Sequence, residues 1–237
     1  MRTGIVTGGG SGFGAAISHE LASLGMRVVV ADLDAARAQE VADAIVAAGG
    51  SAVATGVDVR RLDDVARAVA LCREQGGRVD FAVANAGVGE NATLVDADPA
   101  RWQVTLDVNL LGVAHTVRAV LPTMLEQGDG HIVLTASVSG RVAYSGEPVY
   151  IASKWGVVGL GHALRHETAG TGVRVTTIEP GVADTPMARA ALLGAELLAT
   201  IRPLQPEDIG RAVGWVLQQP ARMVVNELTL RSADQAL

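Results

Sequence analysis

The sequence predicts an α/β protein with a single doubly wound parallel sheet of the Rossmann type, about seven strands and helices on both faces. Short apolar segments alternate with helical patterns at intervals of about 25 residues, which specifies parallel strands joined by right-handed crossovers. The first strand, a glycine-rich loop and a helix follow one another directly, as at the start of a nucleotide-binding sheet. No linker or low-complexity stretch interrupts the pattern, so we expect one domain over residues 1–237.

Composition excludes several classes of protein. The net charge is −6 with scattered arginines, which argues against a nucleic-acid or anionic-membrane partner. No apolar run reaches the roughly 20 residues of a membrane span, and the amino terminus lacks a secretory signal pattern. The single cysteine, Cys72, excludes an intramolecular disulfide and fits a buried thiol. We therefore expect a cytoplasmic protein without a nucleic-acid or membrane partner.

The first strand, Thr3 to Thr7, leads into Gly8-Gly-Gly-Ser-Gly-Phe-Gly14 and a helical stretch over residues 15–24. Glycines let the backbone approach an anion, and the helix N-terminus presents free N–H groups and the positive end of its dipole. This order predicts a phosphate site, although the spacing Gly-x-x-x-Gly-x-Gly differs from the commonest dinucleotide fingerprint.

The second strand, over residues 27–31, ends in Asp32, eighteen residues after Gly14. A dinucleotide fold places there the acid that binds the ribose hydroxyls. A carboxylate repels a 2′-phosphate, and the adjoining Leu33 offers no compensating cation, so we expect NAD rather than NADP. The alternative is that Asp32 only caps the next helix, although Asp34 is an equally good cap.

The third and fourth strands also end in polar groups. The third, over residues 52–57, leads to Asp58, where the adenine amine could bind, and a helix follows over residues 62–73. The fourth, over residues 79–84, leads to Asn85-Ala86-Gly87. These positions lie at the carboxyl edge of the sheet, where α/β proteins bind ligands.

The longest helix begins at the cap Asp98-Pro99 and extends to about residue 126, with a kink expected near Asn109. Asn109 stands in an apolar stretch, and a buried amide must be hydrogen-bonded. A structural hydrogen bond and a role in the site are both open for it.

The fifth strand, over residues 131–135, delivers Ser137, and the next helix carries Tyr150 and Lys154. Four residues is the spacing that stacks two side chains on one helix face. Lys154 is the only lysine beside eighteen arginines, which suggests a chemical need for a compact ammonium. A cation near a phenol lowers its pKa from about 10, so we predict Tyr150 as the general acid–base, with Ser137 positioning the substrate oxygen.

The sixth strand, over residues 173–178, is followed by Glu179-Pro-Gly-Val-Ala-Asp-Thr185. An apolar helical piece over residues 188–201 fits a substrate lid, which we assign to about 186–203. Pro206 opens the last helix, and residues 227–230 form the last strand.

Taken in order along the chain, these motifs resemble the short-chain dehydrogenase/reductase family. The resemblance rests on Thr7-Gly8-x-x-x-Gly12-x-Gly14, Asp32, Asp58, Asn85-Ala86-Gly87, Asn109, Ser137, Tyr150-x-x-x-Lys154 and Pro180-Gly181-x-x-x-Thr185. One departure is Ala84, where many members have a second asparagine.

The resemblance implies a role for each matched residue. Tyr150 would be the catalytic acid–base, Lys154 would lower its pKa and hold the nicotinamide ribose, and Asn109 would hold a water of a proton relay. The cofactor residues it implies are Gly8, Ser11, Gly12, Phe13, Gly14, Asp32, Leu33, Asp58, Val59, Asn85, Ala86, Gly87, Tyr150, Lys154, Pro180, Gly181, Val182 and Thr185.

The substrate end is less defined. The sequence around Asn226 and Glu179 resembles the branch that oxidises serine and other 3-hydroxy acids, and Arg141 is a candidate anchor for a substrate carboxylate, unless it is a structural loop arginine. The candidate substrate residues are Ser137, Val138, Ser139, Arg141, Tyr144, Glu147 and Met187. His162 and His166 have no evident third ligand, so we expect no metal.

We therefore expect an NAD-dependent alcohol dehydrogenase or ketoreductase acting on a small secondary alcohol. Two alternatives stay open: a catalytically silent dinucleotide sensor or scaffold, and a sugar-nucleotide epimerase or dehydratase, which generally needs a larger carboxyl-terminal region than the fifty or so residues after Thr185. The resemblance also implies a homodimer or homotetramer through the helices over about 101–126 and 150–168, where Trp155 stands.

Overall fold

The computed structural model describes residues 1–89, 92–190 and 198–235. Seven parallel strands form one sheet in the order β3-β2-β1-β4-β5-β6-β7, so the predicted parallel sheet is confirmed. The strands are β1 (Thr3–Thr7), β2 (Arg27–Asp32), β3 (Ser51–Gly56), β4 (Phe81–Ala84), β5 (Gly130–Thr135), β6 (Val173–Pro180) and β7 (Glu227–Leu230).

The helices lie on both faces of this sheet. They are α1 (Gly12–Ser23), α2 (Ala35–Ala47), α3 (Leu62–Gly76), α4 (Pro99–Leu106), α5 (Gly112–Gln127), α6 (Pro148–Glu167), α7 (Pro186–Ala190) and α8 (Pro206–Gln218). A π-helical turn, Asp107–Leu111, joins α4 to α5 at the predicted kink, and a 3₁₀ turn, Val138–Gly140, follows β5. The first helix begins earlier than the apolar pattern indicated, because its span already includes Gly12 and Gly14 of the glycine loop, of which Gly12 has φ of +51°.

Successive residues of a strand face opposite sides of the sheet, and β1 shows how this builds two cores. Ile5 packs with Val29 against α3, α5 and α6, whereas Val6 packs with Val28 against α1, α2 and α8. Strands covered on both faces are continuously apolar, which explains why the strand segments of the sequence lack alternation.

The helical segment Pro99–Gln127 is long and apolar enough to cross a membrane by length and composition alone. In the structure, Val113, Val117, Val120 and Met124 on this segment belong to the core formed with α3 and the sheet. The apolar composition of this segment is therefore explained by its packing in the core.

The position of the site follows from the strand order. β1 pairs with β2 on one side and with β4 on the other, so the crossovers that leave β1 and β4 diverge to opposite faces. A crevice opens at the carboxyl ends of these two strands, which is where sheets of this topology bind ligands.

Candidate active site

The glycine loop between β1 and α1 is built for close backbone approach. Gly8 has φ of +64°, a conformation that favours glycine. A side chain on Gly14 would overlap the carbonyl oxygen of Gly8, so helix and loop can be this close only without a Cβ atom. The free N–H groups at the start of α1 then face the crevice, as an anion site requires.

Asp32 ties the second strand to this loop. Its Oδ2 atom accepts a hydrogen bond from the Gly10 backbone N–H at 2.8 Å, and its Oδ1 atom accepts one from the Asp34 N–H at 2.9 Å. Helix α2 is capped by Asp34, whose carboxylate accepts from Ala36 and Arg37. Asp32 is therefore not the helix cap, and its carboxylate is held at the crevice.

Asn85 clamps the other side of the glycine loop. Its Nδ2 atom donates to the carbonyl oxygens of Thr7 at 3.0 Å and Gly8 at 3.3 Å. The Thr7 hydroxyl accepts in return from the backbone N–H groups of Asn85 and Ala86. The turn after β4 is thus fixed by these bonds, with alanine at position 84.

A cavity of about 350 Å³ runs along this edge of the sheet. Fourteen of the eighteen predicted cofactor residues line it. They are Gly8, Ser11, Gly12, Phe13, Asp32, Leu33, Asp58, Val59, Asn85, Ala86, Gly87, Tyr150, Lys154 and Thr185. One continuous cleft therefore joins the predicted ribose acid, the glycine loop and the predicted acid–base, and its residues fit a dinucleotide.

The other four predicted cofactor residues do not line this cavity. Gly14 packs beneath the loop. The Gly181 N–H donates to the Leu230 carbonyl oxygen at 2.7 Å, and the Val182 N–H donates to Gln235 at 3.0 Å. Pro180 is the last residue of β6, so this segment continues the sheet where the sequence suggested an open loop.

The cavity is also lined by residues that the sequence reasoning missed. Most are apolar or come from elements whose approach depends on tertiary packing: Val57, Arg60, Val88, Val104, Val108, Thr135, Ala136 and Pro186. Of these, only Arg60 could have been predicted from the sequence, because it lies two residues after Asp58. Its guanidinium binds the Asp58 carboxylate, with 2.6 Å between Nη2 and Oδ2, and lowers the pKa of Asp58.

Ser137, Tyr150 and Lys154 meet at one end of the cleft. Ser137 caps the 3₁₀ turn after β5, and its hydroxyl accepts from the Ser139 N–H at 3.1 Å. The Lys154 Nζ atom is buried, donates to the Thr135 carbonyl oxygen at 3.0 Å and lies 5.7 Å from the centre of the Tyr150 ring. The three predicted residues are thus brought together by β5 and α6.

Burial shifts the pKa values of Tyr150 and Lys154 in opposite directions. Burial raises the pKa of Tyr150 well above its ordinary value of about 10, while a hydrogen bond with Ser137 lowers it in part. Burial also lowers the pKa of Lys154 to about 8. The Lys154 ammonium is directed at Thr135, so in this geometry desolvation of the phenolate outweighs its effect.

Asn109 is fully buried in the π-helical turn. Its Oδ1 atom accepts from the Val88 N–H at 2.8 Å, and its Nδ2 atom donates to the Val88 carbonyl oxygen at 2.9 Å and to Ser153 at 3.2 Å. The side chain therefore holds the segment after Gly87 against α6. Of the two roles that the sequence left open, the structural hydrogen bond is observed.

Arg141, the candidate anchor for a substrate carboxylate, is bound to two glutamates of the protein instead. Its Nη2 atom lies 2.6 Å from Oε1 of Glu179 and 2.5 Å from Oε2 of Glu227. Glu179 is 1% exposed and also accepts from Thr229. Because a buried carboxylate needs a counter-ion, Arg141 neutralises Glu179 and is a structural arginine.

The other substrate-end predictions fall into two groups. Ser139, Tyr144 and Glu147 form a hydrogen-bonded chain with Ser137, and Val138 stands in the 3₁₀ turn between them. Met187, on α7, lines the cleft. The predicted lid near 186–203 includes residues 191–197, which lie outside the described residues.

A larger groove of about 750 Å³ lies between α1, the end of α2 and the start of α8. It is lined by residues such as His19, Glu20 and Pro206 and by none of the predicted catalytic residues. We assign the site to the smaller cleft, because the polar groups converge there. Within residues 1–89, 92–190 and 198–235, no three His, Cys, Asp or Glu side chains group as metal ligands, and His162 instead pairs with Glu227.

Comparison with known proteins agrees with this geometry. The family described as short chain dehydrogenase matches residues 2–194. An uncharacterized oxidoreductase of Staphylococcus saprophyticus is 38% identical over 231 residues, which cover 97% of each chain.

Two solved structures are similar over nearly the whole length. A serine dehydrogenase complexed with NADP⁺ is 31% identical with a TM-score of 0.90, covering 98% of this chain and 96% of that one. An alcohol dehydrogenase from the archaeon Thermococcus sibiricus, complexed with 5-hydroxy-NADP, is 26% identical with a TM-score of 0.88, covering 100% and 99%.

Proposed function

The chain belongs to the short-chain dehydrogenase family, and from this we propose that it interconverts a small secondary alcohol and its carbonyl compound, with Tyr150 as general acid–base. One observation carries the proposal. Tyr150, Lys154 and the glycine loop line one cleft, and the Ser137 hydroxyl is hydrogen-bonded to Tyr150. An acid–base, a second hydroxyl and a buried cation at one end of a phosphate-binding crevice are the groups that alcohol oxidation needs.

When bound, a nicotinamide dinucleotide supplies the hydride acceptor or donor at this site. The glycine loop and α1 would hold its phosphates, and Asp32 its ribose hydroxyls. In the reducing direction Tyr150 gives its proton to the substrate oxygen, while Ser137 donates a hydrogen bond to the same oxygen. In the oxidising direction the phenol receives the proton of the alcohol.

The raised pKa of Tyr150 fits the first of these roles, because a phenol that keeps its proton at neutral pH is available as an acid. Proton donation creates a phenolate, and the Lys154 ammonium 5.7 Å from the ring centre stabilises that charge. We infer that Lys154 acts on the phenolate that forms in the reaction rather than on the resting phenol.

We propose NAD as the preferred cofactor. The Asp32 carboxylate is fixed by two backbone N–H groups and would repel a 2′-phosphate. Two arginines of this region are already paired, Arg37 with Asp34 and Arg60 with Asp58. The two solved relatives hold NADP⁺ or 5-hydroxy-NADP, so cofactor choice is where we expect this chain to differ from them.

We also propose that the chain is one cytoplasmic domain over residues 1–237, that the segment near 186–203 covers the substrate, and that the protein forms a homodimer or homotetramer. The assembly proposal is supported by Trp155 on α6 and Leu111 on the π-helical turn, which are 51% and 47% exposed. Apolar side chains as large as these favour an interface.

The experiment is a panel of small secondary alcohols, 3-hydroxy acids included, assayed for NADH formation. We expect turnover of at least one alcohol, with NAD preferred over NADP. If the folded protein binds NADH but oxidises none of the alcohols and reduces none of the matching ketones, the proposed function is wrong.

A further inference from the structure

The position of Ser137 depends on a short turn. Ser137 caps the 3₁₀ turn Val138–Gly140, which is closed by two backbone hydrogen bonds of 2.9 Å, from the Gly140 N–H to the Ser137 carbonyl oxygen and from the Arg141 N–H to the Val138 carbonyl oxygen. A single helical turn is not stable by itself in water. Its place in the site must therefore be fixed by the elements that it contacts.

On one side the turn packs against α6, the helix that carries Lys154 and the proposed acid–base. A Cβ atom on Gly140 would lie 2.9 Å from the Lys154 carbonyl oxygen, so glycine lets the turn and the helix approach this closely. The Lys154 Nζ atom donates to the carbonyl oxygen of Thr135, two residues before Ser137. The turn, the end of β5 and Lys154 are thus packed together.

On the other side an ion pair joins the turn to the end of β6. Arg141 donates to Oε1 of Glu179 from Nε at 2.8 Å and from Nη2 at 2.6 Å. The Glu179 carboxylate also accepts from the Thr229 hydroxyl of β7 at 2.6 Å. The next residue, Pro180, has its carbonyl oxygen 3.4 Å from Ser137 Oγ. The ion pair therefore holds the strand end that the Ser137 hydroxyl contacts.

A second carboxylate, Glu227, extends this contact to α6. The Oε2 atom of Glu227 lies 2.5 Å from Nη2 of Arg141, and its Oε1 atom lies 3.0 Å from Nη2 of Arg165. Arg165 is on α6, the helix that carries Tyr150. One network of charged side chains therefore connects the turn that Ser137 caps to the helix of the acid–base.

This network is more than a surface ion pair. Glu179 is almost fully buried, and the side chains of Arg141, Arg165 and Glu227 are partly buried. Exposed ion pairs contribute little to stability, whereas a buried carboxylate without its cation is strongly destabilising, so the pair keeps the turn in one position. A displacement of about 1 Å in a group that positions the substrate costs up to about 10²-fold in rate.

We propose that Arg141 is a positioning residue for Ser137. Its bonds to Glu179 and Glu227 hold the turn, so that the Ser137 hydroxyl meets the acid–base and the substrate oxygen. Arg141 itself does not line the cleft. The inference rests on the proposed function, in which the Ser137 hydroxyl donates to the substrate oxygen. Its consequence is that Arg141 affects kcat only through Ser137.

The test is a double-mutant cycle on the rate of oxidation of an alcohol that the wild type uses, measured in single turnovers so that small rates are accessible. Arg141→Met combined with Glu179→Gln removes the ion pair without leaving a buried charge. We expect this pair variant to lose about tenfold or more in rate and to bind NADH as the wild type does. In a Ser137→Ala background the same two substitutions should change the rate by less than about twofold, because the group that they displace is already absent.

A second variant, Arg141→Lys, keeps a positive charge beside the buried Glu179 carboxylate and is therefore the less prone of the two to unfold. A compact ammonium replaces the guanidinium fork that binds Glu179 and Glu227 together. We expect a smaller loss of rate, of about threefold or more, that again disappears in the Ser137→Ala background.

The matched control is a buried ion pair at the opposite edge of the sheet. Arg78 binds Asp129 and the Asp80 carboxylate, which is 6% exposed and directly precedes β4. Asp80 also accepts from the Thr3 N–H at 2.7 Å, as Glu179 does from a threonine hydroxyl. Arg78→Met combined with Asp80→Asn should lower the stability in urea unfolding as the pair variant does, but should keep the wild-type rate.

The outcomes are distinguishable. If the folded Arg141 variants keep the wild-type rate, or lose as much rate in the Ser137→Ala background as in the wild type, this inference is wrong and the proposed function stands. An equal loss of rate in the control variant would assign the effect to lowered stability and would also overturn the inference. If the wild type turns over no alcohol or ketone of the panel, the proposed function fails and this inference fails with it.

Discussion

The Nζ atom of Lys154 lies 5.7 Å from the centre of the Tyr150 ring, yet it donates its hydrogen bond to the backbone of Thr135. Burial lowers the pKa of this lysine to about 8. The ammonium is therefore present at neutral pH and is lost as the pH rises through about 8. Since Tyr150 keeps its proton over the same range, Lys154 is the group that should limit activity on the alkaline side.

We predict that kcat for ketone reduction falls with a midpoint near pH 8 in the wild type. Lys154→Arg should lose this fall, because a guanidinium stays charged to pH 12 or above. The maximal rate of Lys154→Arg should drop by about tenfold or more, because a planar guanidinium cannot replace the ammonium in its hydrogen bond to the Thr135 carbonyl oxygen. A pH–rate profile of each protein measures both effects. An unchanged midpoint in Lys154→Arg would show that another group is responsible.

The second prediction concerns Asp32, whose two carboxylate oxygens are each bound to a backbone N–H. Wild-type protein should bind NADH more tightly than NADPH. Asp32→Ala should weaken NADH binding by about tenfold, as expected for a lost hydrogen bond to a charged group, and should narrow or reverse the preference. Fluorescence titration of the apo protein gives both dissociation constants.

Asp43→Ala is the control for Asp32. It removes one acid from an exposed position of α2 that does not line the cleft, and it should leave the NADH-to-NADPH ratio unchanged. Tighter binding of NADPH by the wild type would contradict the assignment of Asp32.

The third prediction concerns stability. His131 is fully buried, its Nε2 atom lies 2.8 Å from the Thr176 hydroxyl, and burial, with Arg174 and Arg2 nearby, lowers its pKa to about 3. The folded pKa is below the unfolded value of about 6.5. As the pH falls from 6.5 toward 3, the unfolded chain takes up a proton that the folded chain excludes. The free energy of unfolding should then fall by up to about 1.4 kcal/mol per pH unit.

Urea unfolding between pH 4 and 8 measures this slope. His131→Asn should be less stable at pH 7. Its free energy of unfolding should also depend less steeply on pH, by the amount that the uptake of one proton contributes. His19→Asn, at an exposed histidine of α1, should keep it. Equal slopes in the wild type and His131→Asn would rule out the buried neutral histidine as the cause.

Local sequence patterns were sufficient for the sheet, the glycine loop and the polar strand ends of the cleft, whereas the family resemblance implied the remaining cofactor residues. Each strand is an apolar run that ends at a polar residue or glycine, and parallel strands bring those ends to one edge. This is why Asp32, Asp58 and Asn85, which are far apart in sequence, were all predicted in one site and all line one cavity.

The missed features depend on contacts between distant residues. Glu227, which pairs with Arg141, is 86 positions away, so nothing near Arg141 in the sequence revealed its partners. Val104 on α4 and Val108 in the π-helical turn line the cleft, which the helical pattern of the sequence did not indicate. The pKa of Tyr150 depends on burial, which the four-residue spacing to Lys154 does not report.

The most direct test of the proposed mechanism is the turnover of Tyr150→Phe. The substitution removes one hydroxyl from the end of the cleft and leaves the glycine loop and Asp32 intact. With an alcohol that the wild type oxidises, we predict a loss in kcat of about 10²- to 10⁴-fold, while NADH still binds. Tyr150→Phe that binds NADH and keeps wild-type kcat would show that Tyr150 is not the acid–base.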